Sequence, residues 1–317
     1  MSLKEYKKHG YLITNQILTN DEVELIRRDL DLEFDRNKKE VLFINEFKNE
    51  KLIKKLLNIY KNHILVSVKE ELEQKSKTKI TVLPNFLVQK NYHVDLRQFH
   101  GWHRDCGGEL RYEYCNNILA KENYFFSKIG LYLQENTDYG GSIDIIKSSH
   151  KNFTKLKILF RKIKSLPLKI IMLIHKKFRK IYNFIPEKFF MLFLNAKRLY
   201  PDIGSAVIFD SRIVHRGSPI SKKKLSEIKY KKGSYQAITP ESVTKYSIYC
   251  HFGSADGMDS YLFDRSKRKG DFISMSNNEI KSWIEQIEFI SKYDQGLANQ
   301  INLIFNPIKI KYQKPAL

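Results

Sequence analysis

The sequence predicts a mainly β fold with flanking helices, a barrel or jelly roll that is interrupted by a basic helical insertion. Short runs of β-branched and aromatic residues recur between turns of Gly, Asn and Asp, which is typical of barrel and jelly-roll strands. Residues 151–198 break this pattern, because their apolar residues repeat at helical spacing among many Lys and Arg residues.

The N-terminal part combines a short strand with helices. Residues 10–14 have strand character, and Asn20-Asp21-Glu22 are expected to cap a helix. The apolar side of that helix is predicted to contain Val23, Leu25, Ile26 and Leu30. A second helical pattern runs near residues 50–73.

The predicted strands cover residues 80–83, 86–88, 129–133, 142–146, 205–209 and 246–250. Residues 272–317 are expected to form a C-terminal helix and tail, with Ser276 as the cap of the helix. The apolar face of that helix consists of Ile280, Trp283, Ile284, Ile287 and Ile290. We expect residues 1–317 to form a single domain that contains the insertion.

Composition indicates a cytoplasmic protein. Its three cysteines, Cys106, Cys115 and Cys250, have no metal-binding pair spacing and are too few for a disulfide framework. The first residues have no apolar stretch, so we expect no secretory signal. No segment reaches the roughly 18 apolar residues of a membrane-spanning helix.

A metal site is predicted from Trp102-His103-Arg104-Asp105 together with His215. His103 and Asp105 are two residues apart, so on a strand their side chains would share one face. His215 follows the predicted strand 205–209 by a turn and could complete the set. Two histidines and one carboxylate form the facial triad of non-haem Fe(II), which leaves coordination positions open for a co-substrate and O₂.

An His-x-Asp pair is a weak signal by itself, because this chain contains a second one, His93-Val94-Asp95. We favour the later pair, since Trp102 precedes it and an apolar strand region leads into it. Spacing alone leaves open that these are ordinary polar residues, because nine histidines can produce such pairs by chance.

The order of the motifs resembles the phytanoyl-CoA dioxygenase (PhyH-like) family of Fe(II)/2-oxoglutarate-dependent oxygenases. The similar segments are Tyr6 to Glu22, Trp102-His103-Arg104-Asp105, Asn136 to His150 and Gly204 to Pro219. The resemblance covers about residues 5–150 and 196–255. It implies a double-stranded β-helix (cupin-like) core, with Fe(II) bound by His103, Asp105 and His215.

The same resemblance implies a reaction and a co-substrate site. 2-Oxoglutarate would be decarboxylated to succinate and CO₂ while a small or lipid-like substrate, an anionic one included, is hydroxylated with O₂. Family members carry an Arg for the far carboxylate of 2-oxoglutarate where this chain has Lys245, a cation that cannot form a bidentate fork. Gln89 is the polar strand residue expected to contact 2-oxoglutarate, whereas His150 and His251 are expected to be structural.

The insertion at residues 151–198 departs from the compact family pattern. It contains 14 Lys and Arg residues and one acid, Glu187, so it carries +13 of the formal net charge of +21. Residues 153–194 could lie on an anionic membrane, which would place the protein at the inner membrane surface. They could instead cover an anionic substrate as a lid, bind nucleic acid or form a plain surface hairpin; the apolar content disfavours nucleic acid.

The sequence therefore supports hypotheses of different classes. The leading one is a 2-oxoglutarate-dependent hydroxylase. The alternative is a non-catalytic, membrane-associated binding protein that retains the fold, which the substitution of Lys245 for Arg keeps open. An oxygenase that repairs alkylated nucleic acid fits the motif order less well.

Overall fold

Eleven strands and seven α-helices lie within the described parts of the chain. The computed structural model describes residues 3–65, 79–96, 101–105, 125–151, 191–192, 194–229, 236–240, 243–268 and 272–313. The strands are β1 (Tyr11–Ile13), β2 (Val41–Phe43), β3 (Thr81–Asn91), β4 (His93–Asp95), β5 (Phe126–Tyr132), β6 (Ile143–Ile146), β7 (Ala196–Leu199), β8 (Ala206–Asp210), β9 (His215–Gly217), β10 (Gln236–Ile238) and β11 (Lys245–Gly253). The helices are α1 (Leu3–His9), α2 (Asn20–Asn37), α3 (Glu50–Asn58), α4 (Lys222–Leu225), α5 (Ala255–Arg268), α6 (Phe272–Ser291) and α7 (Gln295–Gln313).

The mainly β fold with flanking helices is confirmed, and the strands form antiparallel sheets. The largest sheet has the order β1-β8-β5-β11-β3-β2, a second has the order β7-β6-β9, and β10 pairs with β4. A small core that includes Tyr132, Ile145 and Phe209 joins the two larger sheets. Two antiparallel sheets that face each other across a core are typical of a jelly roll. The predicted basic insertion lies almost entirely outside the described residues, which omit 152–190 and 193.

The outer face of the large sheet is covered by helices, and this fixes which side chains point inward. Tyr246, Ile248 and Cys250 belong to the main core shared with the helices. Since side chains alternate along a strand, Lys245, Ser247 and Tyr249 point to the opposite, inner face. The helix predicted around Trp283 is confirmed as α6, but it begins at Phe272, so Ser276 lies inside it. The residues expected as a tail form α7 up to Gln313.

Helix α2 begins one residue earlier than predicted. Thr19 is the N-cap: its side chain accepts from the Glu22 backbone N–H, and the Glu22 carboxylate accepts from the Thr19 backbone N–H. Val23, Ile26 and Leu30 are buried as expected. The prediction for Leu25 is wrong, since its side chain is 47% exposed and lies outside the stripe that faces the sheet.

A bulge interrupts β3 where two separate strands were predicted. Tyr249 of β11 pairs with Leu87 and His251 pairs with Leu83, so residues 84–86 together face Cys250. Asn85 adopts a φ of 93°, a left-handed conformation that favours glycine but is tolerated by Asn. The bulge therefore turns Asn85 away from the regular ladder. Within the described ranges, no helix is long and apolar enough to cross a membrane.

Candidate metal centre

His103 and His215 are held together by their main chains. His215 begins β9, which pairs with β6, and His103 forms an isolated antiparallel bridge to His215. Only this one residue of the motif pairs with a strand, since Asp105 follows in a turn rather than on the predicted strand. The His103 backbone N–H donates to the His215 carbonyl at 2.8 Å, and the reverse bond measures 2.9 Å.

The second hydrogen bond of each ring fixes its tautomer. Nδ1 of His103 lies 2.8 Å from the Gly101 carbonyl oxygen, and Nδ1 of His215 lies 3.1 Å from that of Ile213. A carbonyl oxygen only accepts, so each Nδ1 carries a hydrogen, and in the neutral form of the ring Nε2 is the nitrogen with the free lone pair. Both rings thus offer Nε2 as a ligand atom, oriented by a hydrogen bond on the other nitrogen as in known metal sites.

Asp105 completes the group. Its Oδ1 lies 3.5 Å from Nε2 of His215 and 3.9 Å from Nε2 of His103. The ligand atoms of the three residues all lie within 4.8 Å of one another, and no other such group occurs among the described residues. Two imidazole nitrogens and one carboxylate oxygen fit the donor set of a facial triad. The structure thus brings together the three predicted residues, whereas His93 and Asp95 lie apart on β4.

The electrostatics favour the protonation states that a metal requires. Burial, together with the neighbouring His215, lowers the pKa of His103 to about 4. Burial raises the pKa of Asp105, but the cation of Lys128 and the two histidines outweigh it and hold that pKa well below its ordinary value. Near neutral pH, His103 is therefore a neutral imidazole and Asp105 a carboxylate, the forms in which both can bind a metal.

A buried network behind His215 was not predicted. Asp144 on β6 is fully buried and accepts hydrogen bonds from Arg198, Arg216 and Ser218 at 2.7–3.1 Å. The Arg216 guanidinium also lies 4.6 Å from the centroid of the Trp102 ring. The network ties the residues beside both histidines to one carboxylate. Its signal in the sequence was a single acid within the apolar run Ile143-Asp144-Ile145-Ile146.

Arg104 does not belong to the group formed by His103, Asp105 and His215. It is buried, and its guanidinium donates to the carbonyl oxygens of Ser149 and Arg212. His150, expected to be structural, is also buried, with Nε2 at 3.1 Å from the Lys7 carbonyl oxygen. Arg104 thus joins the segment before Asp105 to the loop that leads into β9, and His150 joins the end of the loop after β6 to the N-terminal helix.

A cavity of about 410 Å³ lies beside the triad, between the two larger sheets. His103 and His215 line it from one side, and alternate residues of the large sheet line it from the other. The sheet residues are Asn85, Leu87, Gln89, Asn91, Lys128, Tyr132, Phe209, Tyr249 and His251. Gln89 therefore reaches the cavity, as does His251, for which only a structural role was expected.

Lys245 lies at the far end of the same inner face. Its side chain is buried, and its ammonium donates to the Tyr139 carbonyl oxygen. Gly141, which lines the cavity, leaves room for it, because a Cβ on Gly141 would lie 2.5 Å from the Lys245 Cδ atom. Burial lowers the pKa of Lys245 to about 8. Among the described residues, no carboxylate pairs with this cation.

No protein-family model and no curated protein matches the chain, so the resemblance to the PhyH-like family is not confirmed by a family match. Solved structures with a related fold include EctD from S. alaskensis with bound Fe, with a TM-score of 0.46, 12% identity and coverage of 81% of this chain and 78% of that one. HygX from Streptomyces hygroscopicus, with nickel and 2-oxoglutarate bound, has a TM-score of 0.43, 12% identity and coverage of 80% and 87%. AviO1 from Streptomyces viridochromogenes has a TM-score of 0.43, 11% identity and coverage of 79% and 92%. Because these TM-scores lie below 0.5, the chemistry of this chain has to be derived from its own residues.

Proposed function

We propose that this protein is an Fe(II)/2-oxoglutarate-dependent oxygenase that hydroxylates a small or lipid-like substrate. The observation that carries the proposal is the convergence of two Nε2 atoms and one carboxylate oxygen beside a cavity, with both Nδ1 atoms bound to backbone carbonyls. Such a triad would hold Fe(II) by His103, Asp105 and His215 and leave the other coordination positions open.

Two further residues support 2-oxoglutarate as the co-substrate. Lys245 is a buried cation without a carboxylate partner in the described part of the chain, and leaving a cation buried and unpaired is costly. A dicarboxylate that reaches the Gly141 end of the cavity would supply the missing partner. Gln89 faces the cavity two strand positions from Asn91, which pairs with Lys245, so its amide could orient the same ligand.

When bound, iron and 2-oxoglutarate would supply the oxidising chemistry, in which O₂ gives one oxygen atom to succinate, with release of CO₂, and the other to the hydroxylated substrate. The protein itself would orient the bound groups and shield them from water. His103 and His215 present fixed tautomers, and Asp105 contributes a negative charge that partly balances Fe(II). Lys245 and Gln89 would align the co-substrate, while Leu87, Tyr132 and Phe209 form an apolar wall that excludes water from the reacting centre.

An anaerobic titration tests the proposal. Metal-free protein receives Fe(II) and then 2-oxoglutarate, and the weak visible metal-to-ligand charge-transfer band is recorded. We expect a band that is lost in His215→Ala and needs more 2-oxoglutarate in Lys245→Ala. Iron binding without a band would contradict the 2-oxoglutarate assignment and favour a different iron enzyme or a non-catalytic binding protein.

We also infer peripheral membrane contact through residues 153–194, from their sequence alone, since they lie almost entirely outside the described residues. A cationic amphipathic segment would bind anionic lipid in a salt-dependent manner. Pelleting with anionic vesicles at low and high salt tests this idea. It fails if a protein that lacks residues 153–194 binds the vesicles as well as the full chain does.

A further inference from the structure

The carboxylate of the triad is held in place by other means than the two histidines. His103 and His215 are fixed by their mutual backbone hydrogen bonds and by the Nδ1 contact of each ring. Asp105 lies in a turn, and within the described ranges its backbone belongs to no strand pairing. The contacts of its side chain therefore decide where the two carboxylate oxygens point.

The two oxygens of Asp105 face different groups. Oδ1 lies 3.5 Å from Nε2 of His215 and 3.9 Å from Nε2 of His103, so it is the oxygen nearer to both imidazoles. Oδ2 lies 3.7 Å from Nζ of Lys128. Oδ2 is buried, and it accepts no hydrogen bond from the residues that the structure describes. One oxygen thus faces the other metal ligands, and the second faces an ammonium.

Lys128 is brought to Asp105 by the sheet. It lies on β5, where it pairs with Phe209 of β8 on one side and with His251 of β11 on the other. Its side chain lines the cavity and is 24% exposed, and Nζ lies 5.1 Å from the centroid of the Tyr249 ring. A cation over an aromatic ring is attracted to it. These contacts place the ammonium beside Asp105, whatever further partners it has.

The orientation of Asp105 matters because a carboxylate can bind a metal through one oxygen or through both. A six-coordinate metal that receives one atom from each of three residues keeps three positions open, and a chelating co-substrate needs two of them. If Asp105 bound through both oxygens, one of the open positions would be lost. An oxygen that pairs with an ammonium is less available to the metal.

We propose that Lys128 is a positioning residue that holds Oδ2 of Asp105, so that Asp105 binds the metal through Oδ1 alone. The inference rests on the proposed function and deepens it, because it names a residue that keeps coordination positions open for the co-substrate. The ammonium also repels a divalent cation, so Lys128 lowers the affinity for metal. Removing a merely structural lysine would weaken metal binding, whereas removing Lys128 in the proposed role would not.

The test uses the full chain loaded with Mn(II). Broadening of the Mn(II) electron paramagnetic resonance signal in ¹⁷O-enriched water gives the number of waters bound to the metal, and titration with N-oxalylglycine, an unreactive analogue of 2-oxoglutarate, measures chelation. The variants are Lys128→Met and Lys128→Arg. Lys61→Met is the matched control, because Lys61 forms a partly buried ion pair with Asp294 at 2.7 Å and does not line the cavity.

We expect about three bound waters in the wild type and about two in Lys128→Met, with Mn(II) bound at least as tightly in the variant. The affinity of Lys128→Met for N-oxalylglycine should fall by about 10- to 100-fold, the usual effect of removing a group that orients a metal ligand. Lys128→Arg keeps a cation beside Oδ2 and should restore both the water count and the affinity. Lys61→Met should match the wild type.

Three results overturn the inference while the metal site stands. A count of about two waters in the wild type would show that Asp105 binds through both oxygens, even if Lys128→Met does not fold. Weaker Mn(II) binding in Lys128→Met would assign Lys128 a structural role only. Loss of N-oxalylglycine affinity with an unchanged water count would mean that Lys128 acts on the co-substrate rather than on Asp105. If Mn(II) does not bind the wild type, the proposed function fails, and this inference fails with it.

Discussion

His103 and His215 exchange a reciprocal pair of backbone hydrogen bonds, and their ring centroids lie 4.4 Å apart. The main chain, rather than the side chains, therefore sets the spacing of the two imidazoles. His215 is further fixed by the pairing of β9 with β6. The fold itself thus arranges the proposed metal ligands, and removing one ring should leave the fold intact.

His215→Ala is expected to abolish Fe(II) binding with little loss of stability, because the backbone bonds of residue 215 do not need the imidazole. Metal content after anaerobic loading and the thermal unfolding midpoint are the two measurements. The matched control is His93→Ala, which removes the histidine of the other His-x-Asp pair, on β4. Loss of metal in His93→Ala, with metal retained in His215→Ala, would show that the triad is misassigned.

The affinity for 2-oxoglutarate is expected to fall as pH rises above about 8. Burial lowers the pKa of Lys245 to about 8, and the residues around its ammonium that the structure describes contribute no charged group. Above that pH the lysine loses the charge that would pair with the far carboxylate. Calorimetric titration of Mn(II)-loaded protein with 2-oxoglutarate between pH 7 and 9.5 measures the effect. Lys245→Arg should keep its affinity over this range, since arginine stays protonated.

The lowered pKa of Lys245 also predicts that the free energy of unfolding changes with pH. The folded pKa of Lys245 lies below its ordinary value of 10.5, so between about pH 8 and 10.5 the unfolded chain binds more protons. The destabilising contribution of Lys245 is therefore complete below pH 8 and is relieved as pH rises through that window. Lys245→Met should be more stable than the wild type at pH 7, by up to roughly 3 kcal/mol. Urea unfolding at pH 7 and 10 should show that the stability difference between Lys245→Met and the wild type is smaller at pH 10. An equal difference at both pH values would contradict the prediction.

Asp144→Asn is expected to destabilise the fold by about 3–5 kcal/mol, because it leaves Arg216 and Arg198 without their common carboxylate. Burial raises the pKa of Asp144, but the two arginines and Ser218 outweigh it and lower that pKa. The contribution of Asp144 to stability is therefore present above its unfolded pKa near 4 and is lost as pH falls through its folded pKa.

Urea unfolding at pH 7 measures the destabilisation caused by Asp144→Asn. Asp35→Asn, at a carboxylate that is 70% exposed, should change stability by less than about 1 kcal/mol.

The grouping of His103, Asp105 and His215 could be predicted from the order of motifs that resemble a known family, because the spacing of the residues alone left it open. Lys128 could not, since one lysine among 56 Lys and Arg residues has no local signal. Its position beside Asp105 depends on the pairing of β5 with β8 and β11. His93 and Asp95 have the same spacing as His103 and Asp105, but the long-range pairing of β4 with β10 places them away from His215. Contacts that depend on strand order are thus the part that local patterns do not predict.

Gln286 makes another contact that a local sequence pattern does not predict, and this contact leads to a prediction about the bulge in β3. Its side chain on α6 is fully buried, and Oε1 accepts from the backbone N–H groups of Asn85 and Phe86 at 3.2 and 2.8 Å. These are two of the backbone groups that the bulge turns away from the regular ladder. Gln286→Leu is expected to cost roughly 1–3 kcal/mol, because it leaves buried donors without an acceptor.

Urea unfolding of Gln286→Leu measures that cost, with Gln295→Leu, at an exposed position on α7, as the control. Because Oε1 of Gln286 binds the backbone of the bulge on β3, Mn(II) binding should stay unchanged in Gln286→Leu. His103, Asp105 and His215 lie outside β3, so an effect on the bulge can be separated from an effect on the proposed metal site. Equal stability of the two leucine variants would mean that the bulge does not depend on α6, and that another element fixes the conformation of Asn85.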